Sequence, residues 1–186
     1  IVLQPRFLQA ITAAAFAYAV MSFLMTATPL SMHVMENMSL KETGLVLQFH
    51  VVAMFLPSLI TGNLIKKYGH SAIIYGGVLF FFITVLISLF EQTYLNYMLS
   101  LIFLGLGWNF LFISGTSLVV LTYNKEEKFK VQGINDLIVF STMALASLSA
   151  GILLNSIGWK MMNIICIPFL ILIILVSFVA DKKSAS

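Results

Sequence analysis

The side chains able to do chemistry in this chain are few, and most of them fall inside apolar stretches. His50 sits in the run Phe49-His50-Val51-Val52-Ala53-Met54. Its imidazole can donate, accept or titrate near neutral pH. Trp108 and Asn109 stand side by side among Gly105, Gly107 and Gly115. They bring a broad aromatic face with one donor and an amide that bonds both ways. Tyr18, Ser22 and Thr26 are spaced by four, so on a helix they make one polar stripe. Asp136 is the one acid expected within a span, about a turn from its end. These groups suit noncovalent work: holding, orienting and releasing a small solute. Covalent chemistry finds little support. Ser114-Gly115 lacks a Gly-x-Ser setting, His33 and His70 fall in loops, and there is no His-Glu-x-x-His zinc motif. The chain has no Gly-x-x-x-x-Gly-Lys-Ser/Thr phosphate loop, so ATP is an unsuitable driver. No metal and no cofactor is expected. The lone Cys166 excludes a disulfide within the chain.

The elements that must position these residues are apolar spans. A helix needs ~20 apolar residues to cross ~30 Å of hydrocarbon. Six such stretches fill the chain, at about 7–28, 43–65, 71–90, 95–121, 131–154 and 161–180. Apolar residues make up 60% and charged residues 9%, against roughly 45–50% and ~25% in soluble domains. The mean hydropathy is +1.03. The expected fold is therefore an all-α membrane protein, with residues 1–186 as a single six-helix bundle in a lipid bilayer. The net charge of +3 does not point to nucleic acid, because the basic residues cluster between spans rather than on one face. Arg6, Lys66, Lys67, Lys125, Lys128, Lys130, Lys182 and Lys183 fall on one side, and only Lys41 and Lys160 on the other. That asymmetry predicts both termini in the cytoplasm.

Polarity is unevenly shared. The third and sixth spans are almost purely greasy. The first, second, fourth and fifth carry the polar residues, and at membrane depth those must face protein or a water-filled cavity. Two semi-polar helices followed by one greasy helix occur twice, a three-plus-three repeat of the kind transporters use. A channel would want a carbonyl filter or a ring of charges, which is missing. A structural subunit would not need the polar face. An intramembrane enzyme is the weakest alternative. The cavity lined by these spans would be aromatic and neutral, with no mid-membrane Lys or Arg for a highly anionic solute.

Between the second and third spans runs Gly62-Asn63-Leu64-Ile65-Lys66-Lys67-Tyr68-Gly69-His70. It resembles the loop motif Gly-x-Leu-x-Asp-Arg-x-Gly-Arg of the major facilitator superfamily. Gly62, Leu64, the basic Lys67 and Gly69 match; Lys66 stands at the acidic position and His70 at the final Arg. The likeness covers essentially the whole chain. It implies the carboxy-terminal six-helix half of a twelve-helix transporter in a bacterial inner membrane, whose partner is the missing amino-terminal half. The start at Ile1, with no signal-peptide pattern, is read the same way, as a piece of something longer. The resemblance further implies a secondary active transporter of a small solute, working by alternating access. It places Tyr18, Ser22, Thr26, His50, Trp108 and Asn109 on the substrate cavity, and Gly62, Lys67, Gly69 and Asp136 at the gate.

Overall fold

Pro5 opens the first helix, α1 (Pro5–Pro29), in the turn where its missing N–H costs nothing. The computed structural model describes residues 4–185; Ile1 and Ser186, the ends of the expected 1–186 bundle, lie outside them. Beyond Pro29 the helix widens into a π-helical segment, Leu30–Met35. Asn37 then takes a left-handed φ of 55°, which a short polar side chain tolerates. A reciprocal Ser39–Glu42 capping box starts α2 (Leu40–Phe55). Pro57 brings no N–H to continue that helix, and α3 (Ser58–Tyr68) leaves at 40° to it. Gly69, at φ 84°, makes the tight turn into α4 (His70–Ser88). Thr93 caps α5 (Tyr94–Val120), and α6 (Lys128–Ile165) and α7 (Ile167–Ala185) complete the chain.

The described residues are helical, with no strand. Four helical runs are long and apolar enough to cross a membrane: Pro5–Met35, His70–Ser88, Tyr94–Val120 and Lys125–Lys183. The bent pair α2–α3 makes a fifth. The last run is not straight. Gly158 is non-helical (φ 74°, ψ 170°), and the chain folds back there. Ser149 and Leu153 consequently line the same cavity as Ile165 and Cys166. Further on, Phe169 meets Phe16 at 5.1 Å between ring centres, and Asp181 reaches Arg6 at the start of α1.

α5 is the centre of the bundle because three of its glycines admit three different neighbours. A Cβ on Gly105 would stand 2.7 Å from the His50 carbonyl oxygen and 3.0 Å from the Met54 nitrogen, both on α2. On Gly107 it would meet Phe81 and lie 2.9 Å from the Gly77 carbonyl oxygen on α4. On Gly115 it would lie 2.7 Å from the Ala10 carbonyl oxygen on α1. Close backbone approach replaces side-chain bulk, the usual way helices gain packing in a solvent as apolar as they are. Leu101, Leu104, Leu111 and Phe81 are buried around this centre.

At the far end of α7 a polar node ties three helices together. Arg6 donates to Asp181 (2.8 Å) and to Gln9 (2.7 Å). Ser71 and Tyr75 of α4 donate to the same carboxylate, Tyr75 at 3.0 Å. Gln9, buried, donates to Ser71 at 2.9 Å.

Candidate functional site

Tyr18 stands at the meeting point of four helices. Its ring packs edge-on against Trp108 (5.2 Å) and Phe112 (4.8 Å) of α5, and lies 6.0 Å from Phe140 of α6. Trp108 and Phe112 are one helical turn apart, so their rings lie over one another, 5.0 Å between centres and 15° between planes. Phe55, the last residue of α2, covers the indole from another side at 5.8 Å. Helices α1, α2, α5 and α6 thus each give at least one ring to a single aromatic layer. Trp108 is buried and its Nε1 has no hydrogen-bond partner. Phe55 and Phe140 are 58% and 50% exposed. Rings this bare belong to an open face of the chain rather than to its core.

One to two turns from Tyr18 along α1, the stripe continues. Ser22 is half-buried and Thr26 is exposed. Thr26 shares a hydrogen bond of 3.0 Å with Ser147 of α6. That bond makes a hydroxyl pair two turns, about 12 Å, along α1 from Tyr18, able to accept and to donate.

His50 and Asn109, expected on the cavity, are instead fully buried in the seam between α5 and the α2–α3 limb. The reason is rotational. Leu101, Gly105 and Asn109 recur at intervals of four and face α2, whereas Trp108 and Phe112 face α1. His50 Nδ1 donates to the Leu101 carbonyl at 2.7 Å; a carbonyl can only accept, so Nδ1 carries the proton. Asn109 Nδ2 donates to the Met54 carbonyl and to Ser58 Oγ, both at 2.7 Å, and Thr61 donates to its Oδ1 at 2.6 Å. Asn109 therefore plugs the break that Pro57 makes. Pro57 and Asn109 lie 52 positions apart in the sequence and form one joint in the fold.

The residues expected at a gate lie apart from this layer. Gly62 is exposed, and a Cβ there would meet nothing within 4 Å. The close helix approach it was expected to permit is not made within this chain. Lys67 is exposed, with its ammonium 5.0 Å from the Tyr68 ring centre. Gly69 makes the α3–α4 turn. Asp136 is exposed near the start of α6 and accepts from the neighbouring Asn135 at 3.0 Å. Sequence reasoning missed the node of Gln9, Ser71, Tyr75 and Asp181. It also missed Phe55 and Phe140, whose signal was only that they follow the same helix faces as the polar residues.

The Major Facilitator Superfamily model matches residues 10–186. A riboflavin transporter, RfnT, of Brucella anthropi is 40% identical over 170 residues, 91% of this chain and 42% of that protein. Two uncharacterized MFS-type transporters of Bacillus subtilis, YdeG and YddS, are 32% and 30% identical over 78% and 80% of this chain. In each case the match covers well under half the relative's length, 34% for both Bacillus proteins. All three relatives are transport proteins rather than enzymes. With its apolar helices, its bare aromatic layer and these matches, the chain belongs to the Major Facilitator Superfamily, an integral, multi-pass membrane protein of the transporter class.

Proposed function

We propose that this chain is the carboxy-terminal half of a secondary transporter that moves a flat, conjugated, largely uncharged solute by alternating access. The reversal at Gly158 supports six spans: α1, α2–α3 and α4, then α5 and the two arms of the last run. In that count the polar limbs fall first and second in each set of three, as a three-plus-three repeat requires. The rocking partner is an amino-terminal half that closes over the aromatic layer. Both termini face the cytoplasm, in a bacterial inner membrane. Gly62, open in this chain, together with Lys67, Gly69 and Asp136, meets that other half at the cytoplasmic gate.

The observation that carries the reading is the aromatic layer itself. Tyr18, Phe55, Trp108, Phe112 and Phe140 come from four helices, Phe55 and Phe140 leave ring surface exposed, and the Thr26–Ser147 hydroxyls lie two turns, about 12 Å, further along α1. A planar heterocycle would stack on the rings, and each well-placed aromatic contact contributes ~0.5–1.5 kcal/mol. The riboflavin transporter among the relatives handles a molecule of that shape, and riboflavin is the first solute to test. His50 and Asn109 act here by holding α2–α3 against α5, which sets where Phe55 and Trp108 stand.

The test is uptake of labelled riboflavin by the full-length protein in cells lacking their own transporter. Tyr18→Ala should raise the KM roughly tenfold at matched surface expression, through loss of two or more ring contacts. A correctly inserted full-length protein that moves neither riboflavin nor any other flat heterocycle would overturn the proposal.

A further inference from the structure

Gln48 is a polar residue that the aromatic layer does not use. It lies inside α2, nine residues and about 13 Å from the Ser39 cap. It is exposed, and its side-chain amide has no hydrogen-bond partner among the described residues. At that depth in a bilayer an amide faces protein or a water-filled cavity, because hydrocarbon offers it no partner. Its direction follows from Phe55. Residues seven apart stand on nearly the same face of a helix, so Gln48 shares the side of α2 that carries Phe55 to Trp108.

The level of Gln48 follows from α5. Helix α1 runs against α5, since Tyr18 meets Trp108 and Ser31 bonds Tyr97 at 2.6 Å. Helix α2 runs with α5, since His50 bonds Leu101 and Asn109 bonds Met54. Going from Trp108 towards Tyr97 therefore means going from Tyr18 towards Thr26 on α1, and from Phe55 back towards Gln48 on α2. On α6 the same direction leads from Phe140, beside Tyr18, to Ser147, bonded to Thr26 at 3.0 Å. Thr26 lies eight residues beyond Tyr18, Ser147 seven beyond Phe140, and Gln48 seven before Phe55. At 1.5 Å per residue these steps are about 12, 10 and 10 Å. Three helices thus each carry a ring at one level and an uncharged polar group about 11 Å further on.

We propose that Gln48, Thr26 and Ser147 form a second, polar tier of the solute site, which binds a short hydroxylated chain carried by the flat ring. The proposal rests on the reading of the aromatic layer given above and narrows its solute class. A hydroxyl both donates and accepts, as do the Gln48 amide and the Thr26–Ser147 pair. None of the three is a cation, so the tier suits hydroxyls rather than a phosphate or a carboxylate.

The test compares two flavins on the full-length protein in cells lacking their own transporter. Riboflavin carries a hydroxylated chain on its ring system; lumiflavin has the same ring system with a methyl group in its place. The readouts are the KM for labelled riboflavin and the inhibition constant of lumiflavin against that uptake. Wild type should favour riboflavin at least tenfold. Gln48→Leu should raise the riboflavin KM roughly tenfold and leave lumiflavin inhibition unchanged, as loss of a desolvated hydrogen bond requires. Thr26→Val should act in the same direction, and Gln48→Asn should recover part of the preference. Equal weakening of both flavins by Gln48→Leu overturns the tier and seats the amide against the rest of the protein. A preference that Gln48→Leu does not move overturns the tier alone and leaves the aromatic layer standing. Binding of neither flavin overturns the aromatic-layer reading and the tier with it.

Discussion

Gly105→Ala should loosen the bundle more than its single methyl suggests. The added carbon would sit 2.7 Å from the His50 carbonyl oxygen, 2.9 Å from Ala53 Cβ and 3.0 Å from the Met54 nitrogen. Two of these three are backbone atoms, which no rotamer change can move. Helix α2 must shift, and with it go the bonds one turn to either side: His50 to Leu101, and Asn109 to Met54, both 2.7 Å. Overpacking of this kind costs ~1–3 kcal/mol, and the backbone contacts place Gly105 at the upper end. Alanine's better helix propensity returns ~1 kcal/mol. Gly44 of the same helix pair is the control, since a Cβ there meets nothing within 4 Å. Gly44→Ala should be neutral or stabilising by up to ~1 kcal/mol. The gap between the variants is then about 2–3 kcal/mol. For a full-length protein of the relatives' size, more than twice this chain, the shift is roughly 1–2 °C per kcal/mol, so their unfolding temperatures should differ by about 2–6 °C. Tryptophan fluorescence of the purified full-length protein during a thermal ramp reads that difference. Equal melting of the two alanine variants would refute the argument that α5 sits central by glycine contact.

Three further outcomes follow from the same geometry. His50→Leu removes one donor from a buried carbonyl and keeps the bulk, so it should destabilise by ~1 kcal/mol while the shape of the transport–pH curve stays as in wild type; a shifted curve would mean the imidazole handles protons. Asp181→Ala strands Arg6, Ser71 and Tyr75 and should melt earlier than Asp181→Asn, by only about 1 kcal/mol because the ion pair is about one-third exposed; identical melting of the two would show that the carboxylate oxygens are not what joins the helices. With Cys166 replaced by Ala, an impermeant thiol reagent added to intact cells should label Glu36→Cys and not Lys182→Cys, and labelling of the latter would reverse the proposed orientation.

The apolar spans, the break at Pro57 and the turn at Gly69 could be read from the sequence because each rests on local chemistry. A proline interrupts a helix wherever it stands, and a glycine is the residue for a positive φ. The π-helical widening over Leu30–Met35 could not be read, because hydropathy does not distinguish a wide turn from the end of a span. Nor could the polar node. Arg6 and Asp181 lie 175 residues apart, and nothing in either neighbourhood signals the other. The burial of His50 and Asn109 in the α2–α5 seam has a more specific cause. A polar residue in a span must find a partner, but that partner can equally be a carbonyl on the next helix or a solute in a cavity. Composition gives the depth of a residue and leaves its azimuth to packing. Only the positions of Gly105, Gly107 and Gly115 relative to Trp108 carried that information, and reading it required knowing which helix each glycine meets.

That dependence on azimuth also explains why frame and site are hard to separate in this protein. Trp108 and Asn109 are adjacent, and adjacent residues on a helix point about 100° apart. One therefore enters the aromatic layer and the other the α2–α3 seam. Asn109 holds the broken helix through Met54 and Ser58, and Phe55, next to Met54, is the ring that covers Trp108. Any movement of α2 relative to α5 consequently changes the Phe55–Trp108 contact and the Asn109 bonds together. A solute bound against Phe55 would bias the same hinge at Pro57. Under the proposed function that is the coupling required: the proposed solute surface is built on the joint whose bending moves α3 and, through Gly69, the start of α4.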